Sequence, residues 1–439
     1  AAAISAASSG DTINVGPGTF STESNLAANE NLTIQGHGRD ETVFDGGSLG
    51  NTVGFMAITA NVTLKNMTIK DYATTSTSGG QNWSQSAGII IGGSRGTNNT
   101  TTALTVTLTN IKFYNISASL SGTNVQGGAI CIIDKNSAGN HDVNINECIF
   151  YDNEVDGYGG AIYIGDGATV DIKNSVFQQN KASKGGAIWQ GDYYAASGSG
   201  LLNIFNCTIW GNWATNTDAY TSGGINTYVA GSELMYVTIY NSLIAYNARG
   251  ASSTGYYYDL LPMSGDSNYT TYTLAKNIVY RLWDAYHSTS PDSWDTYTAD
   301  SEILEDALTY DDLKIRFDDD KRIAFTASDS ELIGNADANA TSIDVNGVTR
   351  PQGSGDDIGA YEYRNTWDGS SGTDWATAAN WSLNTVPSTT SAYDAPIIAD
   401  VDTNDPVIST DVIIDNLNIE EGGSLTIQKT GSLKLTEHL

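Results

Sequence analysis

Apolar and polar residues alternate in several stretches of the chain that share one pattern. In residues 170–180 (VDIKNSVFQQN), aliphatic residues occupy the first and third positions, Asn the fifth and Phe the eighth. The same pattern, with small variations, occurs at residues 62–72, 106–116, 143–153, 202–212 and 237–247. Alternation with a period of two predicts β-strands that bury one face. Each stretch is therefore predicted to contain strand structure.

The pattern returns along the chain at similar but unequal intervals. Its starts are separated by between 27 residues (143 to 170) and 44 residues (62 to 106). Such periods are typical of solenoids, in which each repeat forms one coil and loops of variable length absorb the differences. Parallel strands of successive coils lie about 4.8 Å apart, and aliphatic columns fill the interior. The sequence therefore predicts an all-β solenoid.

A second motif follows the strand pattern in the middle of the chain. Residues 127–130, 159–162 and 185–188 read GGAI, and residues 223–226 read GGIN. Paired glycines permit a tight backbone corner where a Cβ atom would clash, and the apolar residues after them begin another strand. Each coil is therefore predicted to contain at least two strands and two corners.

The last residue of the strand pattern is Asn in four successive repeats, at Asn153, Asn180, Asn212 and Asn247. At a corner, an Asn side chain can bond the backbone of its own turn or of the stacked copy. We expect these residues to form an inward ladder of asparagines with a structural rather than a catalytic role.

Both ends of the predicted solenoid differ from its middle. Residues 1–7 are rich in alanine and are expected to form a short capping helix, before the first strand in residues 10–20 (GDTINVGPGTF). The repeat blurs after residue 250, and residues 366–387 carry three tryptophans. We predict a β-helix over residues 1–363 and a small C-terminal β module over 364–439, expected to be part of a longer protein.

Composition and charge narrow the classes of function. The chain has 20 Lys and Arg against 50 Asp and Glu, a formal charge of −30, which argues against nucleic-acid partners. No run of about 18 apolar residues predicts a membrane span, and the start lacks the basic flank of a signal peptide, so any targeting segment is expected to have been removed. Cys131, Cys148 and Cys207 match neither a disulfide framework nor a CxxC metal site, and we expect them to be small buried side chains.

Three segments resemble known families. GGAI paired with FxxN, as in 150–153 and 177–180, resembles the repeat of chlamydial polymorphic outer-membrane proteins. GDTINVGPGTF is similar to the start of secreted right-handed parallel β-helix proteins of the pectate-lyase-like superfamily. RPQGSG (350–355) followed by DIGAYEY (357–363) resembles the end of the β-helix in bacterial surface proteins of the choice-of-anchor type. These resemblances imply a right-handed parallel β-helix that is secreted or lies on a bacterial cell surface. The superfamily includes lyases, hydrolases, phage tailspikes and adhesins, so they do not imply one activity.

Aromatic residues after the glycine pairs form the first candidate site. Alternation places Cys131, Tyr163, Trp189 and Thr227 at equivalent outward positions in successive coils. An exposed Tyr163–Trp189 pair, with Asp192 and Tyr193 on the following loop, could stack on sugar rings and bind their hydroxyl groups. Trp210 and Trp213 would extend this ligand-binding face. The alternative is that the aromatic residues pack beneath a loop.

Charged residues in two neighbouring coils form the second candidate site. Asp152 and Glu154 lie in an acidic turn, and Lys181 and Lys184 follow one coil later. Paired carboxylates could act as acid and base on a glycosidic bond, and a lysine could abstract the C5 proton of a uronic acid whose charge Ca²⁺ neutralises. The alternative is a solvated corner with exposed ion pairs.

A cation site is the third candidate. Asp400, Asp402 and Asn404 lie in an oxygen-rich loop that suits Ca²⁺, although its spacing is not that of an EF-hand.

Two hypotheses of function remain. The first is an extracellular cell-surface β-helix that acts in adhesion or glycan recognition, with a polysaccharide or glycoconjugate as its partner. The second is a polysaccharide lyase or glycoside hydrolase that uses Asp152, Glu154, Lys181 and Lys184. We favour binding, because the Gly and Asn patterns are explained by the fold and no acid/base pair recurs as a motif.

Overall fold

The computed structural model describes most of the first 264 residues and most of those from 341 onward. In full it describes residues 1–50, 54–75, 83–94, 97–98, 102–119, 124–133, 141–165, 167–192, 200–217, 221–229, 235–250, 256–257, 259–264, 270–275, 277–279, 302–303, 334, 336, 341–352, 355–382, 384–388, 396–401, 403–414, 416–420 and 422–436. The chain forms two compact units, Ala1–Leu308 and Thr309–Leu439. The predicted boundary after residue 363 falls inside the second unit.

The elements of the first unit are almost all short strands. In chain order they are α1 (Ala2–Ala6), β1 (Thr12–Asn14), β2 (Gly18–Phe20), β3 (Leu26–Ala28), β4 (Leu32–Gln35), β5 (Thr42–Asp45), β6 (Met56–Ile58), β7 (Val62–Lys70), β8 (Ala73–Thr74), β9 (Trp83–Gln85), β10 (Ile89–Ile91), β11 (Gly93–Ser94), β12 (Thr97–Asn98), β13 (Thr105–Tyr114), β14 (Ser117–Ala118), β15 (Asn124–Gln126), β16 (Ile130–Ile132), β17 (Asp142–Asn146), β18 (Ile149–Tyr151), β19 (Glu154–Val155), β20 (Ile162–Ile164), β21 (Thr169–Lys173), β22 (Val176–Gln178), β23 (Lys181–Ala182), β24 (Ile188–Asp192), β25 (Gly200–Phe205), β26 (Thr208–Trp210), β27 (Trp213–Ala214), β28 (Ile225–Val229), β29 (Met235–Tyr240), β30 (Leu243–Ala245), β31 (Ala248–Arg249), β32 (Tyr256–Tyr257), β33 (Leu260–Ser264), β34 (Thr270–Ala275), β35 (Ile278–Val279) and β36 (Glu302–Ile303).

Most of these strands stack into parallel ladders, to which successive coils each contribute a strand; β32 and β12 are exceptions, since they pair antiparallel with β31 and β11. Sheet A1 contains β1, β4, β7, β13, β17, β21, β25, β29 and β34, and sheet A2 contains β2, β5, β7, β13, β18, β22, β26, β30, β35 and β36. Sheet B contains β3, β6, β10, β16, β20, β24, β28 and β33, and sheet C contains β8, β14, β19, β23, β27, β31 and β32. The predicted fold class, a right-handed parallel β-helix with an N-terminal cap and a small C-terminal β domain, is confirmed.

The interior of the coils is filled by in-register columns of apolar side chains. Ile162 and Ile188 are direct neighbours in sheet B, as the repeat requires. In sheet A2, the rings of Phe113, Phe150 and Phe177 stack at centroid distances of 4.9 and 4.6 Å with nearly parallel planes. Such columns form because the strand period places every second side chain inward in each coil.

All three cysteines are fully buried, as predicted. Burial raises the pKa of the Cys148 thiol to about 12. A thiol with such a pKa remains protonated at neutral pH, so Cys148 has a packing role and is not an activated nucleophile.

The Asn at the fifth position of the strand pattern forms a second kind of corner. Asn110 connects the two halves of β13 with a φ of 53°, a left-handed conformation that Asn tolerates better than other non-glycine residues. The equivalent residues have the same sign of φ: Asn66, Glu147, Asn174, Asn206 and Asn241. This bend turns the chain from sheet A1 into sheet A2.

The predicted asparagine ladder is present inside the solenoid. Asn153, Asn180, Asn212 and Asn247 are fully buried, and each side-chain amide donates to the Oδ1 of the next residue in the ladder at 2.8–2.9 Å. The ladder ends at Asp259, whose Oδ1 accepts from Asn247 at 2.7 Å. Each amide also donates to a backbone carbonyl of the preceding coil. The side-chain amides at this corner therefore have hydrogen-bond acceptors within the protein.

The glycine pairs form corners for a steric reason. A Cβ atom at Gly160 would lie 2.0 Å from the carbonyl oxygen of Gly186 and 2.6 Å from the backbone nitrogen of Lys181. Gly159 has a φ of +71°. Only glycine fits where the backbones of successive coils approach so closely.

The N-terminal end of the first unit is closed by α1. Ile4 and Ala7 pack against the hydrophobic core of the first coils. The predicted capping helix is therefore confirmed, and it covers apolar side chains that would otherwise face water. None of the helices in the described parts of the chain has the length and apolar character needed to span a bilayer.

The second unit contains β37 (Thr366–Trp367), a 3-10 helix (Ala378–Asn380), β38 (Ile397–Ile398), β39 (Val407–Ile408), β40 (Asp411–Ile414), β41 (Asn418–Ile419), β42 (Thr426–Ile427) and β43 (Ser432–Leu435). These strands also pair in parallel, as most strands of the first unit do. Its core contains Trp367, Trp375 and Trp381, with Trp381 edge-on to the other two rings at 5.1 and 4.7 Å.

Arg350 joins the RPQGSG segment (350–355) to the DIGAYEY segment (357–363). Its buried guanidinium lies 2.9 Å from the Glu362 carboxylate and donates to the carbonyl oxygens of Asp357 and Gly359 at 2.8 Å. Glu362 also accepts from the backbone N–H of Gln352. These hydrogen bonds engage both terminal nitrogens of the buried guanidinium, although not its Nε, and hold the two segments together within the second unit.

Candidate functional site

The predicted aromatic site at Tyr163 and Trp189 is buried. Both side chains project outward from sheet B, but they are only 4% and 2% exposed. Their rings stack at 4.9 Å, and Tyr158 stacks on the other side of Trp189 at 5.0 Å. The expectation of an open sugar-stacking surface is wrong here. The rings instead belong to a small hydrophobic cluster outside the solenoid core.

The register of this column also differs from the prediction at one position. Trp189 pairs with Asn226, whereas Thr227 pairs with Gln190. The reason is that GGIN lacks the alanine present in GGAI, so Ile225 follows the glycine pair directly and pairs with Ile188. The outward residue of this coil is therefore a buried Asn, and the aromatic column ends at Trp189.

The other predicted ligand-binding residues do not form one face. Trp210 is only 6% exposed and packs against Tyr246 at 4.7 Å, so its expected exposure is wrong. Trp213 is partly exposed, and its indole N–H donates to the carbonyl oxygen of Gly250 at 2.8 Å. Asp192 ends β24, but its side chain lies outside the described residues, as does the whole of Tyr193.

The predicted acid/base residues form an outward column on sheet C. Glu154 pairs in register with Lys181, and Lys181 pairs with Trp213. The Lys181 ammonium lies 2.5 Å from the Glu154 carboxylate and 5.0 Å from the centroid of the Trp213 ring. Lys181 is therefore held between an anion and an aromatic face, and its ammonium group is engaged by both.

The remaining two members of that predicted site are in different surroundings. Burial raises the pKa of Asp152, the nearby Glu154 raises it further, and Lys181 opposes both effects. Asp152 has a left-handed backbone with a φ of 54° at the corner after β18. Lys184 is partly exposed near the glycine corner and forms a bridge in register with Tyr158. The structure thus brings Glu154, Asp152 and Lys181 together.

The predicted cation loop lies in the second unit, where Asn404 forms hydrogen bonds with neighbouring residues. The side-chain amide of Asn404 donates to the carbonyl oxygen of Gly369 at 3.0 Å, and the backbone carbonyl oxygen of Asn404 accepts from the Trp367 indole N–H at 2.9 Å. Asp400 is exposed, and Asp402 lies outside the described residues. Among the residues that the structure describes, no group of three His, Cys, Asp or Glu side chains is arranged to hold a metal ion.

An exposed group of aromatic and apolar residues lies instead on sheet A1, on β25 and β29. The two strands place Leu201 beside Tyr236 and Phe205 beside Tyr240. The Phe205 and Tyr240 rings stack at 5.7 Å with an interplanar angle of 3°. All four side chains are at least partly exposed, and Tyr236 is 37% exposed. We call these four residues the aromatic face.

Polar side chains lie in the middle of the aromatic face and beside it. Asn203 and Thr238 pair in register between the two apolar pairs. Asn203 donates to Oδ1 of Asp171 on the neighbouring strand β21 at 2.7 Å, and the Lys173 ammonium lies 5.7 Å from the Phe205 ring centroid. Flat rings beside hydrogen-bonding groups are what a surface needs to bind a sugar.

The sequence contained the signal for this face. In LNIFNCTIWGN (202–212) and VTIYNSLIAYN (237–247), the fourth position is Phe205 and Tyr240, which alternation places on the outside. The equivalent residues in other repeats are Lys65, Thr109, Asn146 and Lys173, so the two aromatic residues depart from a polar column. Sequence analysis followed the glycine motif instead and overlooked this position.

A second stacked pair, Tyr114 and Tyr151, lies on the outside of sheet A2. The rings are 5.3 Å apart with an interplanar angle of 20°, and both are partly exposed. The Tyr151 hydroxyl donates to the Gln179 side chain at 2.7 Å. This pair provides a matched comparison for the aromatic face.

Two family models match parts of the chain. Residues 147–165 and 174–190 match the Chlamydia polymorphic membrane protein repeat, and residues 366–439 match a domain of unknown function, DUF8693. A search of curated proteins found no match. One crystal structure, of a pectin methylesterase mutant in complex with a hexasaccharide, is 12% identical over 68% of this chain and 88% of that chain, with a TM-score of 0.19.

Proposed function

We propose that this protein is an extracellular, cell-surface β-helix that recognises glycans through the aromatic face. The stacked and partly exposed Phe205–Tyr240 pair carries this proposal, because the two rings, 5.7 Å apart and stacked on each other across adjacent coils, form an apolar patch on the outside of sheet A1 against which the C–H groups of a sugar can pack. Asn203 and Thr238 lie beside the rings and supply the hydrogen bonds that orient hydroxyl groups.

Two further properties support a surface location. The charge of −30 suits a protein that works away from nucleic acids and anionic lipids. Two of the coils match a repeat named after chlamydial polymorphic membrane proteins. Secretion, adhesion and a polysaccharide or glycoconjugate partner are parts of this proposal.

Catalysis on a polysaccharide has less support. The candidate base, Lys181, is in an ion pair with Glu154 and over the Trp213 ring, so it is positioned as a structural cation. Asp152, with its raised pKa, remains as a single carboxyl group beside this pair. Glycoside hydrolysis ordinarily requires two carboxyl groups in different protonation states and free to react.

The test uses Tyr240→Ala with Tyr151→Ala as its matched control. Retention in gels that contain neutral or uronic-acid polysaccharides should fall about tenfold or more for Tyr240→Ala and stay near wild type for Tyr151→Ala. The same mixtures are assayed for reducing ends and unsaturated products. Equal retention of the two variants would reject the aromatic face, and product formation would reject a purely binding function.

A further inference from the structure

We infer, on the basis of the proposed function, that the ligand is an uncharged oligosaccharide lying along β25 and β29, across the coils. The aromatic face fixes this direction by its shape. Along each strand, the apolar positions are four residues apart, which corresponds to about 13 Å at the rise of an extended strand. Along the solenoid axis, the face spans only two coils, about 4.8 Å apart.

The neighbouring coils do not continue the apolar surface. On one side, β21 presents Thr169, Asp171 and Lys173 in register with Leu201, Asn203 and Phe205. On the other side, β34 has Thr271, Thr273 and Ala275 in register with Tyr236, Thr238 and Tyr240. A sugar chain that followed the axis would therefore leave the aromatic rings after two coils. A chain that follows the strands meets apolar groups at both ends of the face.

The centre of the face matches the middle of such a chain. Asn203 and Thr238 lie between the two apolar pairs, and together they offer an amide, an amide oxygen and a hydroxyl group. The ligand's end residues would pack their C–H groups against the edges of the Phe205 and Tyr240 rings at one end and against Tyr236 and Leu201 at the other. Its central hydroxyl groups would form hydrogen bonds with the polar pair.

Charge selects the class of sugar. Asp171 and Lys173 are two residues apart on the same side of β21, so their opposite charges balance beside the face. The whole chain carries a charge of −30, which repels polyanionic glycans such as polyuronates. A sugar with equatorial hydroxyl groups exposes its C–H groups on its two faces, so it can place one of these faces against the apolar patch formed by the ring edges.

The test measures affinity by calorimetry for β-1,4-linked glucose and N-acetylglucosamine oligomers from disaccharide to hexasaccharide, with oligogalacturonate in parallel. Affinity for a neutral series should rise with length until the face is spanned and then stay constant. Tyr236→Ala should lower hexasaccharide affinity about tenfold and disaccharide affinity much less, because it removes one end of the face. Tyr236→Phe, which keeps the ring, should restore the wild-type length dependence. Thermal unfolding checks that both variants fold.

Three results would overturn the inference. If Tyr240→Ala removes binding but Tyr236→Ala leaves hexasaccharide affinity unchanged, the ligand follows the axis and the inference fails while the proposed function stands. Binding of oligogalacturonate, without binding of either neutral series, would reject the uncharged class and again leave the proposed function intact. If none of the three oligomers binds and polysaccharide retention is insensitive to Tyr240→Ala, the proposed function and this inference fail together.

Discussion

The first unit carries two aromatic pairs that are alike in origin and different in surroundings. Tyr163–Trp189 and Phe205–Tyr240 both arise from in-register residues of successive coils, and both project outward from a parallel sheet. The first pair is almost fully buried, whereas the second is partly exposed. Strand alternation thus separates the solenoid interior from its outside, but it does not tell whether the outside is covered.

The columns that contain the two pairs explain the difference. The Tyr163–Trp189 column continues through Cys131 and Ile90, so the outside of sheet B is apolar over four coils. The column that contains Phe205–Tyr240 has the polar residues Thr109, Asn146 and Lys173 in the preceding coils. A continuous apolar column outside a sheet favours a covering layer, because leaving it in water is costly. A polar column with one aromatic group favours a surface.

The largest expected effect tests the buried member of this comparison. Trp189→Ala should lower the free energy of unfolding of the first unit by about 3–5 kcal/mol, because it leaves a cavity beside Tyr158 and Tyr163. Tyr240→Ala, its exposed counterpart, should cost less than about 1 kcal/mol. Urea unfolding of both variants gives the two values. Similar costs for the two variants would contradict the assignment of one pair to a core and the other to a surface.

A smaller effect on the free energy of unfolding is expected for polar residues, where a buried Asn is again compared with a partly exposed one. Asn180→Ala removes an inner residue of the asparagine ladder and takes away the Oδ1 that accepts from both the side-chain amide and the backbone N–H of the buried Asn153, so we expect a loss of about 2–3 kcal/mol. Asn203→Ala is the matched control, since Asn203 is partly exposed and forms one side-chain bond to Asp171. Its cost should be below about 1 kcal/mol in the same urea titration.

If Asn180→Ala were no more costly than Asn203→Ala, the ladder would not stabilise the coils. Retention in glycan-containing gels should rank the two variants in the opposite order from their stabilities. Asn203→Ala is expected to weaken retention, because Asn203 lies within the aromatic face, whereas Asn180→Ala affects only stability.

Sequence analysis predicted the elements that depend on local chemistry and missed those that depend on distant contacts. The glycine corner at Gly160 and the ladder at Asn180 follow from steric and hydrogen-bonding requirements that recur in the sequence of each repeat. The register error at Thr227 came from one missing alanine. Because Ile225 follows the glycine pair directly, the outward position of this coil falls on Asn226. The exposure of Trp189 was misjudged because Tyr158, which packs against it, lies just before the GGAI motif at a position that varies between repeats.

The smallest effect is expected in the charged column of sheet C. Lys181→Met keeps an unbranched side chain over the Trp213 ring and removes only the charge paired with Glu154. Lys181 is 34% and Glu154 49% exposed, so solvent screening limits the ion pair and the cost should be about 0–1 kcal/mol, smaller still in high salt. Urea unfolding at low and high salt measures it. A cost of several kcal/mol would mean that this column belongs with the buried Trp189 group rather than with the exposed surface.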